Sequence, residues 1–80
     1  MSVKVFLLIE TEIEAAKTAE VAVALKRLGR EVKSVDCVTG PYDIIATVEV
    51  DTIDQINHLV TGQIHSVPGV HRTVTCLAVQ

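Results

Sequence analysis

The chain has 80 residues, 49% of them hydrophobic, and a formal net charge of −3 at pH 7. A domain of this size buries only about 60% of the surface that its unfolded chain exposes, so self-association would add burial that a single copy lacks. The negative charge disfavours a nucleic-acid-binding surface, which needs clustered Lys and Arg.

The start of the chain, MSVKVFLLIE, has a short apolar run followed by acidic residues. It lacks the basic beginning and the long apolar stretch of a signal peptide, and no segment of the sequence is long enough to span a bilayer. The two cysteines, Cys37 and Cys76, lie far apart in the sequence. We therefore expect a cytoplasmic protein with reduced thiols and no membrane contact.

The first elements predicted are a strand and a helix. Apolar side chains alternate from Val3 to Glu10, which predicts a strand. Thr11 and Glu14 then fit a T-x-x-E capping box, in which each side chain accepts a backbone N–H of the other residue. Small and aliphatic residues recur at helical spacing from Ile13 to Leu28, so this stretch predicts a helix.

Two strands separated by a short turn come next. They cover Glu31–Thr39 and Tyr42–Val50, and Gly40-Pro41 between them is a turn signal. The connection is too short for a crossover helix, so the two strands should form a hairpin.

The rest of the chain predicts a helix and a final strand. Asp51 or Thr52 can cap a helix whose apolar stripe continues to Val67, and Val70–Val79 follows as a strand after a Pro-Gly break. The order βαββαβ is that of a ferredoxin-like α+β sandwich, in which a four-stranded antiparallel sheet has both helices on one face. We expect one domain over residues 1–80.

The alternation within each strand also predicts the two faces of the sheet. The predicted helix-facing side chains are Val5, Leu7, Ile9, Ile44, Ala46, Val48, Val74, Cys76 and Ala78. The predicted opposite face contains Phe6, Leu8, Val35, Cys37, Ile45, Leu77 and Val79. This second face is too apolar to meet water, and covering it would stabilise the chain at about 25 cal/mol per Å². We expect two copies to pack through it as a two-fold dimer.

The sequence contains no grouping that requires catalysis. His58, His65 and His71 lack the spacing of a metal site, and no two cysteines are close in sequence. There is no glycine-rich phosphate-binding motif, and no basic residue that would activate Cys37 lies near it on its strand. We expect a protein that is not an enzyme and that has no metal and no cofactor.

The segment Val38–Asp43, with the sequence VTGPYD, is unusual for a plain hairpin turn. Gly40 allows backbone N–H groups to approach a ligand closely, and Asp43 offers a carboxylate nearby. Together they could hold both charged ends of an amino acid. Alternatively, Asp43 only hydrogen-bonds amides of its own turn. The residues alone leave both interpretations open.

Four elements resemble the C-terminal effector-binding domain of the Lrp/AsnC regulators, also called the RAM domain. They are the V-T-G-x-Y-D turn at 38–43, the acidic helix start at Asp51, the S-x-P-G-V break at 66–70 and the T-x-T pair at 73–75. The resemblance covers essentially the whole chain. It implies dimers that pair through their sheets and assemble into higher rings, such as octamers, with a small effector bound between dimers.

The effector implied by the resemblance is an amino acid or a related molecule. By position, the resemblance assigns its binding to Gly40, Pro41, Tyr42, Asp43, Thr73 and Thr75. Regulators of this family have a helix-turn-helix before the domain, whereas here the first strand follows Met1 directly. We therefore expect no direct nucleic-acid binding, but an amino-acid sensing and oligomerisation module that modulates transcription or metabolism through assembly, with full-length Lrp/AsnC regulators as candidate partners.

Three other functions share this topology. A small enzyme of the dimeric α+β barrel type would need a polar cavity containing His58 or His71. An ACT-like amino-acid-binding domain usually has a glycine-rich turn after its first strand, which Ile9–Glu12 lacks. A pure oligomerisation module would bind nothing at the Gly40 turn.

Overall fold

The computed structural model of the chain describes residues 2–11 and 15–79. The four strands form one antiparallel sheet in the order β2-β3-β1-β4. This is the predicted ferredoxin-like α+β fold. Its elements are β1 (Val3–Thr11), α1 (Ala15–Lys26), β2 (Val32–Cys37), β3 (Ile44–Val50), α2 (Ile53–Leu59), a π-helical turn (Val60–Ile64) and β4 (Val70–Leu77).

The core lies between the helices and the two central strands, β1 and β3. Every second side chain of these strands is buried, as predicted, and the helices cover them with aliphatic residues. The strand residues are Val5, Leu7, Ile9, Ile44, Ala46, Val48 and Val50, and the largest helical contributions come from Val21, Leu25, Ile56, Leu59 and Ile64.

The predicted faces of the two edge strands are wrong. Residues directly opposite each other in an antiparallel pair have side chains on the same face. Val35 lies opposite Ala46, and Leu77 lies opposite Val5, so both belong to the helix side. Cys37 follows Val35 in parity, whereas Val74, Cys76 and Ala78 belong to the opposite face with Phe6 and Leu8. Val79 lies beyond β4 and is 96% exposed.

The reason for this error is that alternation shows which side chains of one strand share a face. It does not show which of the two faces they share with the residues of the next strand. A shift of one residue reverses every side chain of a strand. β2 has an irregularity between Val32 and Ser34, and the pairing of β1 with β4 shifts between Glu10 and Thr11. β4 has both apolar and polar residues in each parity, and alternation in β2 separates Val35 and Cys37 from Ser34 and Asp36 without saying which pair faces the helices.

The second helix begins where predicted, because Thr52 forms a capping box with Gln55. The Gln55 N–H donates to Thr52 Oγ1 at 3.4 Å, and the Thr52 N–H donates to Gln55 Oε1 at 3.0 Å. The helix does not continue regularly to Val67. It widens after Leu59 into the π turn, in which the His65 N–H donates to the Val60 carbonyl at 3.0 Å.

The ends of the other predicted helices and strands differ from the observed ends by a few residues. β2 ends at Cys37 and β3 begins at Ile44, because residues 38–43 form the turn. Glu14, the second member of the predicted T-x-x-E box, lies outside the described residues. Its partner Thr11 is the last residue of β1, and its hydroxyl hydrogen-bonds the Thr18 hydroxyl at 2.8 Å.

Candidate functional site

The candidate site begins at the turn between β2 and β3. The Val38 N–H donates to the Asp43 carbonyl at 2.9 Å and closes this turn. Gly40 has a φ of 127°, and a Cβ placed on it would meet no atom within 4 Å. The backbone conformation, rather than lack of space, therefore requires glycine at this position.

Asp43 ties the turn to the end of β1. Its N–H donates to the Ile9 carbonyl at 3.0 Å, and its Oδ2 accepts the Thr11 N–H at 2.9 Å. The carboxylate thus binds a backbone amide, but this amide lies 32 residues earlier and not in the turn. These contacts hold the half-buried carboxylate beside the end of the central strand.

Thr73 and Thr75 lie on β4 and face the helix side of the sheet. Thr73 is opposite Ile9, and Thr75 is opposite Leu7. The Thr73 Oγ1 is buried and has no hydrogen-bond partner among the residues that the structure describes. A buried hydroxyl without a partner costs about 1–3 kcal/mol, and a bound water or a ligand atom that accepted its hydrogen bond would remove that cost. Thr75 is exposed.

The structure brings most of the predicted site residues to one end of the sheet. Asp43 and Thr73 both adjoin Ile9, one through a hydrogen bond and the other through strand pairing. Two strand spacings, about 10 Å, separate the β3 end of the turn from β4, which is the scale of a small ligand. Thr75 lies about 7 Å further along β4.

Thr11 is a residue of this site that the sequence analysis missed. Its amide anchors the Asp43 carboxylate, and its hydroxyl contacts Thr18 on α1. The pattern around Thr11 indicates a helix cap, and no local signal reports a contact with a turn 32 residues away.

Other features of the described part of the chain bear on alternative site chemistries. Within residues 2–11 and 15–79, no three His, Cys, Asp or Glu side chains converge on a position suited to a metal ion. Cys37 and Cys76 are both exposed free thiols.

None of the helices in the described ranges has the length and hydropathy needed to cross a bilayer. A cleft that includes His58 lies at the other end of the sheet.

The family model of the Lrp/AsnC ligand-binding domain matches residues 4–80. The chain belongs to this family. The fold, the V-T-G-x-Y-D turn and the T-x-T strand therefore occur together in an Lrp/AsnC domain, as the resemblance implied. Among proteins of curated function, none matches this sequence.

Several solved structures are similar to this domain. The protein TTHA0845 from Thermus thermophilus has a TM-score of 0.86 and 33% identity, over 98% of this chain and 94% of that one. AsnC of E. coli has a TM-score of 0.88 and 26% identity, over 98% of this chain and 51% of AsnC, so this chain spans about half of AsnC.

Two of the similar structures contain an amino acid, and both are complexes with L-methionine. The transcriptional regulator NMB0573 of Neisseria meningitidis was solved as a complex with L-Met. It has a TM-score of 0.83 and 20% identity, over 98% of this chain and 50% of that one. At this identity the likeness shows a shared fold.

Proposed function

We propose that this Lrp/AsnC domain senses an amino acid at the Gly40–Asp43 turn and assembles through the open face of its sheet, without binding DNA directly. Membership of a ligand-binding family supports the first part, as does the L-Met complex of a regulator with the same fold. The observation that carries the proposal is the buried Thr73 hydroxyl without a partner in the described chain, at the end of the sheet where Asp43 lies.

The proposed contacts follow from the chemistry of the two groups. The ammonium group of the effector binds the Asp43 carboxylate, which retains acceptor capacity after taking one N–H, because an ionised carboxylate has about four lone-pair sites. The effector carboxylate accepts from the Thr73 hydroxyl and from backbone N–H groups of the Gly40 turn. Hydrogen bonds to charged groups contribute about 1.5–3 kcal/mol each.

The assembly part of the proposal depends on the corrected open face of the sheet. Its centre is mostly apolar, with Phe6, Leu8, Ile45, Val74, Cys76 and Ala78, while Thr47 lies opposite Phe6, and Ser34 and Asp36 lie on the same face along the β2 edge. Lys4 lies opposite Glu49 at one end of the face, and Glu10 lies opposite Arg72 at the other. Each end thus has both signs of charge, and two copies related by a two-fold axis can pair opposite charges around an apolar centre.

The dimer is the proposed unit from which larger rings, of the octamer type, are built. The same open face would accept the equivalent domain of a full-length Lrp/AsnC regulator. Sedimentation velocity with the pure chain, and then with such a regulator added, measures both associations.

A thermal-shift screen against the twenty amino acids tests the sensing function. A ligand that binds only the folded state stabilises it by about 2.7 kcal/mol at a hundredfold excess over Kd. We expect at least one amino acid to raise the melting temperature of the wild type and to lose this effect in Asp43→Asn. That variant keeps an oxygen for the Thr11 N–H but removes the charge. If no amino acid shifts the wild type at millimolar concentration, the chain is an oligomerisation module without an effector.

A further inference from the structure

A surface cleft, here called the α2 cleft, lies at the end of the sheet opposite to the Gly40–Asp43 turn. Its volume is about 200 Å³, and its lining consists of Glu31, Val50, Gln55, His58, Leu59 and Gln63. Val50 ends the strand that begins beside Asp43, so the cleft is about 24 Å from the candidate effector site. At about 30 Å³ for each water molecule, this volume equals that of roughly six to seven waters, which is room for a small metabolite.

The floor of the α2 cleft is apolar and one of its polar groups has a fixed orientation. Val50 and Leu59 are buried core residues. The Gln55 Oε1 accepts the N–H groups of Asp51 at 2.7 Å and Thr52 at 3.0 Å. Because the capping interaction occupies the oxygen, Gln55 offers a ligand its two N–H donors.

The acidic residue Glu31 lines another part of the cleft. The Glu31 carbonyl accepts the Glu49 N–H at 2.9 Å, which holds the backbone of Glu31 against β3. The Glu31 carboxylate folds over Gly29, where its Oε2 lies 2.5 Å from the position a Cβ would take. The absence of a side chain at residue 29 thus provides the space for this carboxylate.

The remaining polar groups come from α2 and from the π turn. The His58 imidazole has one nitrogen that can donate even when neutral. Gln63 lies within the π turn. A π turn is rare, and it occurs mostly as a single turn inserted in an α-helix, frequently at a functional site. The irregular part of the helix therefore coincides with one wall of the cleft.

We propose that the α2 cleft is a second ligand site, which binds a small zwitterion such as glycine or L-alanine. The ligand ammonium group binds the Glu31 carboxylate, and the ligand carboxylate accepts from Gln55 and His58. The carbon atoms of the ligand lie on Val50 and Leu59. This site needs neither the effector turn nor the open face of the sheet.

NMR titration of Asp43→Asn with glycine or L-alanine tests the proposal, because this background removes the proposed contact at the effector turn. We expect shifts in the side-chain amides of Gln55 and Gln63 and in the methyl groups of Val50 and Leu59. Putrescine, which lacks the carboxylate, and propionate, which lacks the ammonium group, should give much smaller shifts.

Two matched variants assign the contacts. Gln55→Glu keeps the side-chain oxygen that accepts the Asp51 and Thr52 N–H groups but removes both N–H donors, and Glu31→Gln keeps the shape but removes the charge. We expect each change to raise Kd at least about tenfold, because each removes a charge-assisted hydrogen bond. The proposal is overturned if glycine and L-alanine give no shift at the cleft, if both variants bind as the parent does, or if putrescine or propionate alone binds equally well. None of these results bears on sensing at the Gly40–Asp43 turn.

Discussion

Replacing Thr73 with valine measures separately how its hydroxyl affects the stability of the free protein and how it affects the binding of a ligand. The substitution exchanges the buried hydroxyl for a methyl group of similar size and keeps a β-branched residue suited to β4. Without a ligand, the Thr73 hydroxyl is buried and unpaired within the described structure, at a cost of about 1–3 kcal/mol. We therefore expect Thr73→Val to raise the free energy of unfolding by about 1 kcal/mol, which corresponds to about 4–8 °C in melting temperature.

The same substitution should weaken binding of the amino acid that the screen identifies. It removes one hydrogen bond to a charged group, about 1.5–3 kcal/mol, and each 1.4 kcal/mol is about tenfold in Kd. Stability is measured by urea denaturation of the free protein, and affinity by isothermal titration calorimetry. Thr75→Val is the control on the same face of the same strand, and because Thr75 is exposed we expect little change in stability.

Two results would refute this reasoning. A loss of more than about 1 kcal/mol in Thr73→Val without ligand would mean that the hydroxyl makes a stabilising bond. An unchanged affinity together with a gain in stability would mean that the ligand binds elsewhere and that the unpaired hydroxyl is only a local cost.

Three further predictions concern the anchor, the open face and the helix cap. Asp43→Ala should lower the free energy of unfolding by about 1–3 kcal/mol relative to Asp43→Asn in urea denaturation, because only Asn keeps an acceptor for the Thr11 N–H; equal stability of the two variants would argue against that bond. Leu8→Arg should convert the proposed dimer into monomer in sedimentation velocity, whereas Val23→Arg, on a side chain 47% exposed on α1, should leave the sedimentation coefficient of the wild type unchanged. Thr52→Ala should lower the free energy of unfolding by about 1 kcal/mol through loss of the cap, measured by thermal denaturation. An unchanged free energy of unfolding would contradict the capping box.

The central strands of the fold were predictable from the sequence because their burial imposes a single pattern. β1 and β3 each have neighbours on both sides, and their alternate residues, such as Leu7 and Ala46, are buried as the alternation predicts. The Thr52 cap was also predictable, since its signal lies within four residues. The edge strands were not predictable in this way, because Val35 and Leu77 obtain their faces from pairing with another strand.

The candidate site was also predictable only in part. The turn motif and the T-x-T pair can be recognised in the sequence, and Gly40 has a positive φ, a conformation that glycine readily adopts. The contact of Asp43 with Thr11, and the burial of the Thr73 hydroxyl opposite Ile9, arise only when β4 and β3 flank β1. Sequence patterns report local conformation, whereas these contacts depend on the order of strands in the sheet.

Native mass spectrometry of the wild type, with and without a pooled mixture of amino acids, tests the central claim most directly because it reports stoichiometry and bound mass together. We predict an assembly with an even number of chains that gains the mass of an amino acid, and an Asp43→Asn assembly of the same size without that gain. A monomer, or an assembly that never acquires amino-acid mass, would contradict the proposed sensing module.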